Sequence, residues 1–266
     1  MEFSVDGRKV FAATGGKAFA AGLPAIIFVH GAAADHTVWK LQTRYFAWHG
    51  RGVLAVDMPA HGRSDGPPIP TIEGLADWLV ALLDAAGLQQ VTLVGHSVGS
   101  LVTLEAAARY PGRVSALALL GCAVPMRVNG ELLSSARANE HRANRLTNAW
   151  GYGRAAQRGQ HAIPGMWMMT GGMRLLEDAD DGVLFNDMIA CHQYEGGDAA
   201  AQKLTCPTLL IMGERDMMTP MKQARKLVQQ ISGAREVVIK GAGHIMMDET
   251  PDATLDALRD FLPVPP

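Results

Sequence analysis

Val91-Thr92-Leu93-Val94-Gly95-His96-Ser97-Val98-Gly99-Ser100-Leu101 is the stretch that decides the fold. Its first four residues read as a buried strand. A helical pattern opens at Val98 and is stopped by Pro111-Gly112. Between the two lies a G-x-S-x-G. A sharp strand-to-helix turn lifts a serine Oγ out of the sheet edge, and glycine on both sides avoids clashes. The helix N-terminus and the Val98 N–H point at the same spot and favour negative charge there. Ser97 is the candidate nucleophile.

Outward from this turn, short apolar runs alternate with helical patterns. Strands are expected over residues 9–13, 25–30, 52–57, 91–94, 114–120, 208–212 and 236–240. Helices are expected over 71–86, 98–110, 221–231 and 252–261. Thr71 is placed to cap the first of these, and Gly87 to end it. Continuous apolar strands alternating with helices predict an α/β fold: a mostly parallel, doubly wound sheet covered on both faces.

The alternation breaks between residues 125 and 203. Helical pieces are expected there over 130–150, 164–177 and 182–194, with Gly171-Gly172 interrupting the middle one. The chain therefore divides into a core (1–124 and 204–266) and an inserted helical cap (125–203). Charge within the insertion is uneven. Six Arg (127, 137, 142, 145, 154, 158) precede seven acids (177, 178, 180, 181, 187, 195, 198), and the two halves are expected to pair. The tail at 263–266 is expected to fray.

A serine nucleophile needs a base, and the base needs an orienting group. Of nine histidines, His244 lies in Gly241-Ala242-Gly243-His244, after the last strand, where sites of α/β sheets gather. Asp216 follows the strand at 208–212, with Glu214 as the rival acid. The chain order Ser97, Asp216, His244 fits the Ser…Asp/Glu…His order of one fold.

These motifs resemble the α/β-hydrolase superfamily, in its cofactor-free capped serine-hydrolase branch of esterases and lactonases. His30-Gly31-Ala32-Ala33-Ala34-Asp35 is similar to the loop after that family's third strand. The resemblance implies an oxyanion hole from the Ala32 and Val98 N–H groups, with His30 structural. Asp57-Met58-Pro59-Ala60-His61-Gly62-Arg63-Ser64 resembles the family's D-x-x-G-x-G-x-S turn and departs from it at Ala60, where Gly is usual. Relatives that cleave haloalkanes or epoxides carry Asp at the elbow. Ser97 argues against those chemistries.

Composition narrows the partners. Hydrophobic residues make up 48%, charged residues 19%, and the net charge is −2. That is enough apolar mass for a core, and it gives no electrostatic case for nucleic acid or an anionic membrane. Three cysteines without paired spacing argue against a disulfide framework. The start lacks a signal-peptide layout, so a cytoplasmic location is expected. Gly151-Tyr152-Gly153-Arg154-Ala155-Ala156 fits G-x-G-x-x-A but follows no strand, so it reads as a link between cap helices. No metal and no cofactor are expected. A small molecule is the expected partner, with a homodimer as the candidate assembly.

Of 14 Met, six lie in the insertion and six near the acid and base loops. Such clustering predicts an adaptable apolar pocket, with Trp167, Met168, Phe185, Met217 and Ile245 as its walls. The expected activity is hydrolysis of a carboxylic ester with an apolar acyl or aryl group, through an acyl-enzyme. A lactone, thioester or C–C bond is the alternative with the same residues. A C–C hydrolase would call on the insertion's arginines for an acidic substrate. A ligand-binding or signalling module with little turnover is the alternative of a different class.

Overall fold

The computed structural model describes residues 1–160 and 167–262. Eight strands form one sheet: β1 (Glu2–Val5), β2 (Arg8–Ala13), β3 (Ala25–Val29), β4 (Gly52–Val56), β5 (Val91–His96), β6 (Val114–Leu120), β7 (Thr208–Gly213) and β8 (Arg235–Ile239). Their order is β1-β2-β4-β3-β5-β6-β7-β8. The hairpin of β1 and β2 is antiparallel, and β2 joins β4 antiparallel. From β4 to β8 every pairing is parallel. The doubly wound sheet expected from the sequence is what the chain forms.

Helices cover both faces. On the first lie α1 (Lys40–Trp48) and, near the C-terminus, α11 (Met246–Glu249) and α12 (Pro251–Phe261). On the second lie α2 (Ile72–Ala85), α3 (Val98–Arg109) and α10 (Met221–Gln230). β3 shows why the sheet is buried twice. Ile27 and Val29 point to the second face and Ile26 and Phe28 to the first, and all four are 0% exposed. Thr71 does cap α2, its hydroxyl accepting from the Gly74 N–H at 3.1 Å, and Gly87 ends it at φ 69°.

Among the described residues, six helices stand between β6 and β7: α4 (Gly130–Arg137), α5 (His141–Gly151), α6 (Arg154–Gln157), α7 (Met168–Glu177), α8 (Val183–Gln193) and α9 (Gly197–Gln202). The single helix expected over 130–150 is two, broken at Asn139 (φ 50°), whose side chain accepts from the Gly182 N–H. The pair Gly171-Gly172 does not interrupt α7. A Cβ on Gly172 would stand 2.7 Å from the Asn148 and Tyr152 side chains, so glycine there answers a close helix approach. The start of the helix expected from 164, together with His161, Met166 and the tail at 263–266, lies outside the described residues.

Charge pairing in this region is partial. Arg127–Glu195 and His141–Glu177 cross between the basic and acidic halves, while Arg142–Glu131 lies within the first half. All are exposed enough to contribute little stability. Among the described residues no helix is long and apolar enough to cross a membrane.

Candidate active site

Ser97 adopts φ 53°, ψ −120°, between β5 and α3. That backbone is costly for a residue with a Cβ. The flanking glycines show what forces the turn. A Cβ on Gly95 would sit 2.3 Å from the Gly99 carbonyl oxygen, and one on Gly99 would sit 2.4 Å from the His30 carbonyl oxygen. The neighbouring strand and helix are thus close enough to demand glycine at both positions.

His244, which lines a cavity with Ser97, meets Asp216. His244 Nδ1 donates to Asp216 Oδ2 at 2.8 Å, and both residues are buried. Asp216 also accepts from the Met218 and Thr219 N–H groups and from the Thr219 hydroxyl. Burial alone would raise its pKa, but the His244 charge and hydrogen bond, with the Thr219 donors, outweigh this and hold it below the ordinary carboxylate value. With Nδ1 committed, His244 Nε2 is the free basic nitrogen, buried and without a partner among the described residues. Glu214 lies apart. It accepts from the Gly241 N–H and sits 3.6 Å from Arg215, so it closes the loops after β7 and β8.

The Ala32 and Val98 N–H groups make no hydrogen bond among the described residues. The adjacent Ala33 N–H donates to Asp187 Oδ2 at 2.9 Å, from α8. Asp187 also accepts from His61 Nε2 at 2.8 Å, and His61 Nδ1 faces the Pro59 carbonyl. For His61, burial lowers the pKa but Asp187 outweighs it, and the net shift is upward. For Asp187, burial raises the pKa but His61 outweighs it, and the net shift is downward. The pair ties α8 to the loop after β4, and the Ala33 N–H ties the same carboxylate to the loop after β3.

Other histidines are supports. His96 Nε2 donates to the His244 carbonyl at 2.9 Å, and burial, then His244, pulls its pKa down to about 3. His30 accepts from the Met58 N–H on Nε2 and faces the Gly31 carbonyl with Nδ1; burial, then His61, lowers it to about 4. Burial thus favours the neutral form of both rings. Asp35, His36 and Asp57 bring candidate metal-ligand atoms within 4.8 Å of one another. Asp57 is already spent there on His36 and the Arg63 N–H, and Asp35 on Thr37. In the turn that resembles D-x-x-G-x-G-x-S, Ala60 takes the left-handed φ of 67° where glycine is usual.

Two groups stood beyond sequence reasoning. The Glu249 carboxylate accepts from the Gly153 N–H at 2.9 Å and the Gly243 N–H at 3.1 Å. The Gly151 carbonyl accepts from the His244 and Ile245 N–H groups at 2.8 and 3.2 Å. The G-x-G of residues 151–153 is therefore a clasp on the loop of His244. A Cβ on Gly153 would meet Glu249 Oε2 at 2.9 Å.

Ser97 lies at the junction of two cavities. One, of about 290 Å³, holds His244, Trp167, Met168 and Ile245 in its wall. The other, of about 280 Å³, is lined by Met126, Leu132, Trp150, Met217 and Thr219. Ala32, Ser97, Met188 and Met218 line both. Phe185 lines neither; it packs among the helices of the insertion beneath Arg137.

The alpha/beta hydrolase family model matches residues 26–257. Protein ABHD8 of Mus musculus is 25% identical over 242 residues, covering 89% of this chain and 54% of its own. The chain thus spans about half the length of that curated relative. The enol-lactonase of Burkholderia xenovorans LB400 superimposes with a TM-score of 0.86 at 24% identity, covering 98% of this chain and 99% of its own. A thermophilic esterase superimposes with a TM-score of 0.82 at 27% identity, covering 98% of this chain and 96% of its own. With the elbow, the sheet order and this match over most of its length, the chain belongs to the alpha/beta hydrolase family.

Proposed function

We propose that the protein hydrolyses an uncharged carboxylic ester with an apolar acyl or aryl group, through an acyl-enzyme on Ser97. The observation that carries this reading is the placing of Ser97. It stands on a forced turn between two largely apolar cavities, beside a histidine already held by a buried carboxylate. The likeness to a thermophilic esterase supports the same reading.

In this reading, Ser97 Oγ attacks the ester carbonyl and His244 Nε2 takes its proton. Asp216 keeps the proton on Nδ1 and stabilises the imidazolium without being protonated itself. The Ala32 and Val98 N–H groups receive the oxyanion, each contributing about 3 kcal/mol to the transition state. His244 then protonates the leaving oxygen, so the cavity that holds His244 takes the alcohol. The cavity of Met126, Leu132, Trp150 and Met217 takes the acyl group, where methionines adapt to varied shapes. Water then repeats the sequence at the acyl carbonyl.

The test is rapid-mixing kinetics on p-nitrophenyl esters of graded chain length. A burst of nitrophenol followed by steady turnover is expected. Ser97→Ala should remove both while leaving the unfolding midpoint close to wild type. A stoichiometric burst without turnover would favour the binding-module alternative. Turnover retained in Ser97→Ala would refute the nucleophile.

A further inference from the structure

His244 is held at its ring, its carbonyl and its N–H. Asp216 accepts from Nδ1, His96 holds the carbonyl, and the Gly151 carbonyl accepts from the N–H at 2.8 Å. Asp216 follows β7 and His96 ends β5, so both belong to the sheet. Gly151 ends α5, among the helices between β6 and β7. One coordinate of His244 is therefore set from outside the sheet.

What keeps that helix end against the loop of His244 is a crossing built without side chains. A Cβ on Gly213, at the end of β7, would stand 2.0 Å from the Gly243 carbonyl oxygen. A Cβ on Gly243 would stand 2.4 Å from the Gly153 nitrogen. The Gly243 backbone is thus pressed between β7 and the segment after α5. Gly153 and Gly243 are both buried, and both turn an N–H into the crossing. Glu249, 7% exposed at the end of α11, accepts both on Oε2, at 2.9 and 3.1 Å. Neither N–H has another acceptor among the described residues. Two buried donors from distant parts of the chain thus depend on one carboxylate. Burial raises the pKa of that carboxylate, and the Gly243 and Gly153 donors offset only part of this. An apolar side chain would fill the space at lower cost if volume were all the crossing needed. Glu249 lines neither cavity.

We infer that Glu249 is a positioning residue for His244. It acts through the Gly153–Gly243 crossing and touches neither substrate nor reacting atoms. Without it the two N–H groups face each other unpaired, and the segment after α5 draws back. The Gly151 carbonyl then releases the His244 and Ile245 N–H groups. The imidazole keeps Asp216, but its backbone shifts, and a misplacement of about 1 Å costs about hundredfold in rate. The inference rests on the hydrolase reading, in which His244 is the base.

The test is steady-state hydrolysis of p-nitrophenyl butyrate by Glu249→Ala and Glu249→Gln. Rates are taken at urea concentrations below the onset of each unfolding transition, so they refer to folded protein. Glu249→Ala should lose about hundredfold in kcat, with KM within about threefold of wild type. Glu249→Gln keeps an oxygen for both N–H groups and should recover kcat to within about tenfold. Gly153→Ala attacks the crossing from the other side, since its Cβ would stand 2.9 Å from Glu249 Oε2. It should lower kcat in the same way, and it decides the matter if Glu249→Ala does not fold. A merely structural residue would lower the urea midpoint and leave the kcat of folded protein unchanged. That result overturns the inference, as does a loss carried by KM, or a Glu249→Gln as slow as Glu249→Ala. In each case turnover that still vanishes in Ser97→Ala leaves the hydrolase reading standing. No Ser97-dependent turnover in the wild type overturns that reading, and this inference with it.

Discussion

Asp216→Asn should lower kcat by roughly four orders of magnitude, while Glu214→Gln stays within about threefold of wild type. Asparagine fills the same space and still accepts the Thr219 and Met218 N–H groups on its oxygen. Its Nδ2 then presents an N–H to His244 Nδ1, so the proton is no longer held on Nδ1 and the imidazolium loses its counter-charge. Glu214 works only in closing the loops after β7 and β8. The check is single-turnover kinetics on a p-nitrophenyl ester for both variants. Comparable losses in the two, or the larger loss in Glu214→Gln, would move the orienting role away from Asp216.

Asp187→Ala should destabilise the fold by about 3–5 kcal/mol, because it leaves a buried histidine and a buried N–H without their acceptor. Both members of the pair are almost wholly buried, so solvent screening gives no relief. Urea unfolding of Asp187→Ala, His61→Ala and the double variant should show strong non-additivity, the double costing less than the sum. The bridge also has a pH window. His61 is shifted up, so its contribution is full below the unfolded imidazole pKa and fades as pH rises through the higher folded value. Asp187 is shifted down, so its contribution is full above the unfolded carboxylate pKa and fades as pH falls through the lower folded value. The stability difference between wild type and Asp187→Ala should therefore be largest between about pH 4 and pH 6.5. A difference flat from pH 4 to pH 9 would show that the pair is not ionised. Activity should follow geometry: Ala33 takes φ 47° next to Ala32, and without Asp187 the loop loosens. A fall in kcat of about tenfold to hundredfold, with a smaller change in KM, is expected.

The elbow was legible because its constraints are local. Two glycines four residues apart, a strand before and a helix after are all sequence-adjacent facts. The pairing of Asp216 with His244 was legible because both end strands at the same sheet edge. Asp187 was not, because it stands in an acidic run and its partners, Ala33 and His61, are more than a hundred residues away. Glu249 reads as an ordinary helix-start acid until Gly153 is brought against it. Helix α1 escaped the apolar pattern since its inner face includes buried Gln42 and Thr43, bonded to the Met247 and Trp39 carbonyls. Strand β1 is four residues long with only Val5 fully buried, too short to show a period.

The clasp at Gly151 and Gly153 bears on how the chain could be recombined with its relatives. The His244 backbone hangs from the Gly151 carbonyl, and Glu249 ties Gly153 to Gly243. A chimera that exchanges 125–203 as one block therefore exchanges the peg from which His244 is suspended. Crossover points after residue 153 would leave that peg with the recipient and transplant only α6 to α9.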